Sequence, residues 1–202
     1  EFESQKLDSL PLGKATAISH SSSQFIASLE TGEIVLFDPL TPGATRVRVA
    51  HTSGPASKCL PDRDRIWWVQ DLDGKPRLLS LDRESNQLSS WDVSAAGPIK
   101  STGFYNDRVV LSGENGSWQF NPGSGDMSPL EDLLPPDTRK EIATNALRTI
   151  TLTDGSLCVA GSSVCWVLCK DGVHKFDSGR DSLKVLSGTE NSLLLADGDT
   201  LM

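Results

Sequence analysis

The chain is short of the groups that enzymes most often use. It has only three histidines, His20, His51 and His174. A Ser-His-Asp or Cys-His site would need one of them. The stretch "ISHSSSQ", Ile18 to Gln24, holds Ser and His together, but at a strand-to-loop junction that pairing serves turn chemistry. No phosphate-binding G-x-x-x-x-G-K-[ST] loop and no dinucleotide G-x-G-x-x-G occurs. Basic charge is also scarce, with 19 Lys and Arg against 27 Asp and Glu and a formal charge of −8. Binding a nucleic-acid backbone needs a basic surface that releases counterions, so no nucleic-acid partner is expected. The two local concentrations of positive charge, Thr45 to Val49 and Thr138 to Glu141, are short and read as solvated faces.

Long apolar runs are missing too. No stretch of eighteen apolar residues is present, so no membrane-spanning helix is expected. The start, "EFESQKLDSL", has neither a basic n-region nor an apolar h-region. Four cysteines, Cys59, Cys158, Cys165 and Cys169, in 202 residues are too sparse for a disulfide-built secreted scaffold. The reading is therefore of a reducing compartment, cytoplasmic or nuclear.

Four segments share one form: an apolar run, a polar turn, a second strand, then Asp or Asn. They are Phe25 to Pro39, Ile66 to Asp82, Val109 to Pro122 and Val164 to Ser178. A fifth begins at "SLLLADGDTLM", Ser192 to Met202. The closing residues Asp38, Asp82, Asn121 and Asp177 are spaced by 44, 39 and 56. The first two spacings suit four-stranded propeller blades of roughly 40–50 residues. The third contains an insertion, 128–147, with a short helix expected from about Asp137 to Asn145. Pro135 and Pro136 stand where a helix start tolerates them.

The dipeptides "TG", "DG", "NG", "DG" and "DG" at 31–32, 73–74, 115–116, 171–172 and 197–198 are the expected hairpin turns. Runs such as "IWWV", "VCWVL" and "LLLA" are continuously apolar rather than alternating. A sheet with one wet face alternates. Continuous runs at hairpin spacing imply strands buried on both faces, as in radially stacked blades. The expected fold is all-β, a β-propeller of about four to five blades, with residues 1–202 forming one domain or part of one. A sandwich is the structural alternative. The stop at "GDTLM" reads as part of a longer propeller; otherwise Gln5 to Gly13 closes the last blade. An open blade edge would invite association.

The segment "LKVLSGTENSLLLADGDTLM", Leu183 to Met202, resembles a repeat of the regulator-of-chromosome-condensation propellers. Lys14 to Asp38 and Pro98 to Phe120 follow the same order more loosely. The resemblance covers about half of the chain at pattern level. Asn191 stands where that family often carries His, and Phe37-Asp38 and Phe176-Asp177 stand where it closes hairpins with Trp-Gly. The resemblance implies a guanine-nucleotide exchange factor for a small GTPase, or a protein-binding adaptor. The endings "GEIVLFDP" and "DGVHKFD" look equally like quinoprotein-type or WD-repeat propellers.

The remaining motifs are structural on this reading. Cys165 and Cys169 would lie about 13 Å apart on one strand, too far for one metal ion, and "CWVLC" has no turn. Cys158, on the preceding strand, is placed to face one of them across the sheet, as a contact or a disulfide; the expected role of all three is that of small buried hydrophobes. "DLDGK", Asp71 to Lys75, is half a calcium loop without the closing Glu. Catalytic residues, cofactors and metals are each expected to be none. The candidate protein-binding residues are Trp91, on an outer strand, and the acidic, Leu-rich Leu130, Glu131, Asp132, Leu133 and Leu134 of the insertion. The function expected is a non-enzymatic scaffold that binds another protein through the insertion or an open blade edge. The alternatives are the exchange factor and a propeller with a ligand or catalytic site in its channel.

Overall fold

The computed structural model describes residues 14–21, 24–37, 47–51, 57–61, 64–134, 136–145, 148–152, 155–161, 164–177, 183–189, 192–197 and 200–201. It is all-β of the propeller class. Four sheets are four-stranded antiparallel meanders and one has three strands, each following chain order. The chain divides into two compact units, Glu1–Asp92 and Val93–Met202, described in turn.

The first unit holds two blades. One is β1 (Ala15–Ser21), β2 (Gln24–Leu29), β3 (Glu33–Phe37) and β4 (Val47–His51); the other is β5 (Ser57–Pro61), β6 (Arg65–Leu72), β7 (Lys75–Asp82) and β8 (Leu88–Asp92). Strand β6 shows why its run is continuous: every residue from Ile66 to Gln70 is buried. Ile66 and Trp68 on one face meet Ile26 and Ile34 of the first blade, with Leu79 and Leu81 beside them. Trp67 and Val69 point the other way, by strand alternation. Each such side chain withdrawn from water contributes about 1.5–3 kcal/mol.

The second unit begins with a 3-10 turn, Ser94–Ala96, and then the blade β9 (Ile99–Tyr105), β10 (Arg108–Gly113), β11 (Gly116–Phe120) and β12 (Met127–Pro129). A second 3-10 turn, Leu130–Leu133, leads to α1 (Pro136–Asn145), which occupies the insertion. Pro136 sits at the first helical position, where its missing N–H is no loss. The next blade is β13 (Arg148–Thr151), β14 (Leu157–Ala160), β15 (Val164–Cys169) and β16 (Gly172–Asp177). The last sheet is β17 (Leu183–Thr189), β18 (Ser192–Asp197) and β19 (Thr200–Leu201). β14 and β15 are again buried on both faces. Leu157, Val159, Trp166 and Leu168 join Val110 of the preceding blade, whereas Cys158, Ala160, Cys165 and Val167 pack with Leu152.

Two of the expected turns lie one residue earlier than their glycines suggest. Gly113 pairs with Gly116 and Cys169 with Gly172, so the loops are Glu114–Asn115 and Lys170–Asp171. Gly116 (φ 108°) and Gly172 (φ 138°) are the first strand residues after the loop. Asp73–Gly74 is a two-residue loop with both residues at positive φ, 54° and 74°, the twist-matched hairpin turn. Asn106–Asp107, at φ 48° and 58°, makes the same turn between β9 and β10 without a glycine. For the last hairpin, Asp197 pairs with Thr200, and 198–199 lie outside the described residues.

The residues that close two of the repeats, Asp82 and Asn121, cap the turns that follow them. Asp82 Oδ1 accepts from the backbone N–H of Glu84 (3.1 Å) and Ser85 (2.8 Å) and from Ser85 Oγ (2.9 Å). Asn121 Oδ1 accepts from Gly123 N–H at 2.9 Å. Both side chains thereby shape the turn into the outermost strand. Asp38 lies outside the described residues.

Candidate interaction site

The insertion is fastened to its blade by apolar side chains. Leu130 and Leu134 are 0% and 2% exposed and Ile142 is 1% exposed. All three enter the core that holds Val110, Leu157 and Trp166. α1 is otherwise polar in composition, so Ile142 is its anchor among the described residues. Arg139 Nε donates to Leu134 O at 3.0 Å and ties the helix to the turn before it.

This fastening leaves a pocket of about 120 Å³ beside β11. Trp118, its cross-strand partner Pro129, Ile142, Glu131, Asn115 and Gly116 line it. Ser117 also reaches it, but its hydroxyl is engaged with Ser112 Oγ at 2.8 Å. The rim at Asn115 is rigid. Asn115 N–H donates to Ala96 O (3.1 Å), Glu114 N–H to Pro98 O (3.1 Å), and Asn115 Nδ2 to Ala95 O (3.3 Å). The backbone approach is close enough that a Cβ on Gly113 would stand 2.0 Å from Ala96 O. Gln119, buried beside Trp118, accepts from Arg108 Nη1 at 2.7 Å and donates to Pro129 O at 3.4 Å.

The candidate residues thus divide. Leu130 and Leu134 are the foundation; Glu131 is half-buried on the pocket and Asp132 is exposed. Of Leu133 the structure describes the backbone, within the 3-10 turn. Trp91 belongs to the other unit, on the outer strand β8. It is half-buried and stacks on Trp67 with centroids 5.6 Å apart and planes at 27°. Arg65 lies 5.8 Å from the centre of the Trp67 ring. Leu88, on the same strand, is 57% exposed. The members of the pocket that the sequence did not announce include Trp118 and Ile142. Only pairing with β12 and the helix placed them together.

The cysteine stretch is blade interior. Cys158, Cys165 and Cys169 are free and buried. Contact with Cys165 and burial push the Cys158 thiol far up, away from reactive thiolate. Cys169 Sγ donates to Gly172 O at 3.3 Å. His174 is exposed on β16. Among the described residues no three His, Cys, Asp or Glu converge as metal ligands. No helix among them is long and apolar enough to cross a membrane.

Neither a protein-family model nor a curated protein matches the chain. Solved structures do. The chain is similar to the computationally designed Ika8 protein (10% identity, TM-score 0.58), over 90% of this chain and 54% of that one. It is similar to the extracellular domain of BT4673 from B. thetaiotaomicron (15% identity, TM-score 0.58), over 93% of this chain and 29% of that one. A structural genomics protein from Bacteroides thetaiotaomicron matches at 12% identity and TM-score 0.51, over 83% of this chain and 44% of that one. These likenesses carry the fold: an all-β propeller built from four-stranded blades. The chain spans about half, or less, of the length of these solved structures.

Proposed function

We propose that this chain is a non-enzymatic propeller scaffold that binds another protein through its insertion. The reading treats residues 1–202 as one propeller domain or part of one, working in a reducing compartment where its buried thiols stay reduced. The observation that carries it is the division of labour in the insertion. Leu130, Leu134 and Ile142 weld it to the blade, while half-buried Glu131 lines a pocket with Trp118 and Asp132 is exposed. A loop held on a rigid frame is where binding residues belong. The net charge of −8 favours a basic partner and disfavours nucleic acid. Trp91 and Leu88 on the outer strand β8 form a second contact candidate.

The test is affinity capture with the full chain at moderate salt, beside a Glu131→Lys/Asp132→Lys variant. The expected result is a stoichiometric partner with the first and its loss with the second. An empty capture from folded, monodisperse protein, or a partner retained equally by both, overturns the reading.

The exchange-factor reading rests on the resemblance of Leu183 to Met202. It is supported by the strand, hairpin and strand of β17, β18 and β19. Accelerated nucleotide release from a small GTPase would support it, and none across a panel would remove it.

A further inference from the structure

We infer that the pocket beside β11 receives a single arginine side chain of the partner. This deepens the scaffold reading and rests on it. Size comes first. A pocket of about 120 Å³ is well below the roughly 300–1,000 Å³ of small-molecule sites. The space is on the scale of a side chain rather than of a small-molecule ligand.

Chemistry selects which side chain. The lining residues are one aromatic, Trp118, two apolar, Pro129 and Ile142, and one acidic, Glu131. Among the described residues no hydrogen bond or ion pair of the Glu131 side chain is formed. An apolar anchor would fill the volume but strip water from that carboxylate without compensation. A guanidinium satisfies it. It is planar, stacks on an indole, and offers forked donors to a carboxylate. The Asn115 amide nitrogen is committed to Ala95 O, which leaves its Oδ1 as the acceptor of that group on the rim. The arginine stem covers Ile142 and Pro129, as long basic side chains do. The helix's own cations are engaged elsewhere: Arg139 Nε is held by Leu134 O at 3.0 Å, and Lys140 has its own interaction. Charge complementarity thus names the occupant, an arginine-bearing segment of a second protein.

The test uses the full chain with its tryptophan indoles labelled with nitrogen-15, titrated with N-acetyl-arginine N-methylamide and, separately, N-acetyl-norleucine N-methylamide. The arginine probe is expected to shift the Trp118 indole resonance saturably, with a Kd on the order of millimolar. Glu131→Gln should weaken it about fivefold with the thermal midpoint unchanged, and added salt should weaken it further. Equal shifts from the norleucine probe, or unaltered arginine binding in Glu131→Gln, overturn the inference. Its failure is separable from that of the scaffold reading. A captured partner that the full chain and Glu131→Gln hold equally, with no probe binding, removes the arginine pocket alone. Probe binding without any captured partner removes the scaffold alone.

Discussion

The two units join their blades by different means. In the first, the seam is apolar: Ile26 and Ile34 of one blade against Ile66, Trp68, Leu79 and Leu81 of the next. In the second, an apolar core is present, but beside it runs a seam of hydroxyls. Ser101 Oγ accepts from Thr149 N–H at 2.8 Å, and Ser112 Oγ lies 3.4 Å from Thr149 Oγ1. Thr151 Oγ1 accepts from Phe104 N–H at 2.5 Å and donates to Phe104 O at 3.2 Å. Gly103 makes this approach possible, since a Cβ there would stand 2.9 Å from Thr151 Oγ1. The contrast separates two kinds of specificity. An apolar seam tolerates repacking at similar volume. A hydroxyl seam is directional, and losing one member strands a buried partner.

The largest effect should come from the tryptophans common to both cores. Trp68→Ala and Trp166→Ala should each cost about 3–5 kcal/mol in equilibrium urea unfolding. Neither indole N–H has a hydrogen-bond partner among the described residues. The Phe variants should therefore retain most of that stability, because they shed an unsatisfied donor along with volume. Equal losses from Ala and Phe would show that the indole nitrogens matter. Next comes Ile142→Ala, at about 2–5 kcal/mol. It should also loosen α1 and erase the arginine-probe response of Trp118, an effect confined to the second unit.

The seams themselves are compared by Thr151→Val and Ile34→Val. Removing the Thr151 hydroxyl takes the acceptor from the partly buried Phe104 N–H, at about 1–3 kcal/mol. Trimming Ile34 should cost only about 0.5–1.5 kcal/mol. A reversed order, measured by the same unfolding, would break the comparison.

The smallest effect concerns the paired loop caps, Asp82 in the first unit and Asn121 in the second. Hydrogen bonds from Ser85 N–H and Oγ hold the Asp82 carboxyl below its ordinary 3.8, with Glu84 N–H and Arg65 adding to the effect. A depressed folded-state pKa contributes stability above the unfolded value, lost as pH falls through the folded one. Asp82→Asn should thus lower stability slightly at neutral pH and converge with the parent in strong acid. Asn121→Asp, where the parent residue does not titrate, should bring a new acid-sensitive step. Stability curves against pH would read both.

Much of the blade order was legible in the residues. Continuous runs such as Ile66–Val69 marked strands buried on two faces, and Asp82 and Asn121 marked the turn that follows each hairpin. The turn residues themselves were misplaced by one at Asn115-Gly116 and Asp171-Gly172. There glycine relieves the backbone just after the loop rather than within it, and composition looks the same in both cases. Asn106–Asp107 went unread because its positive φ values rest on residues that merely tolerate that region. Within the insertion, "LEDLL" announced its acids and leucines together. Which of them face water depends on how the 3-10 turn is set on the blade.

What this sequence determined alone was local and periodic: strand runs, turn chemistry, blade-length repeats and an acidic, histidine-poor surface. Strand alternation and positive-φ residues act over a few positions, so a linear reading captures them. Only the tertiary structure decided that Trp118, Glu131 and Ile142 share one pocket and that Phe104 and Thr151 share one seam. Such contacts join residues far apart in the chain. They arise when the helix settles on its blade or one sheet settles against the next, and their geometry is set by packing rather than by any neighbour in sequence.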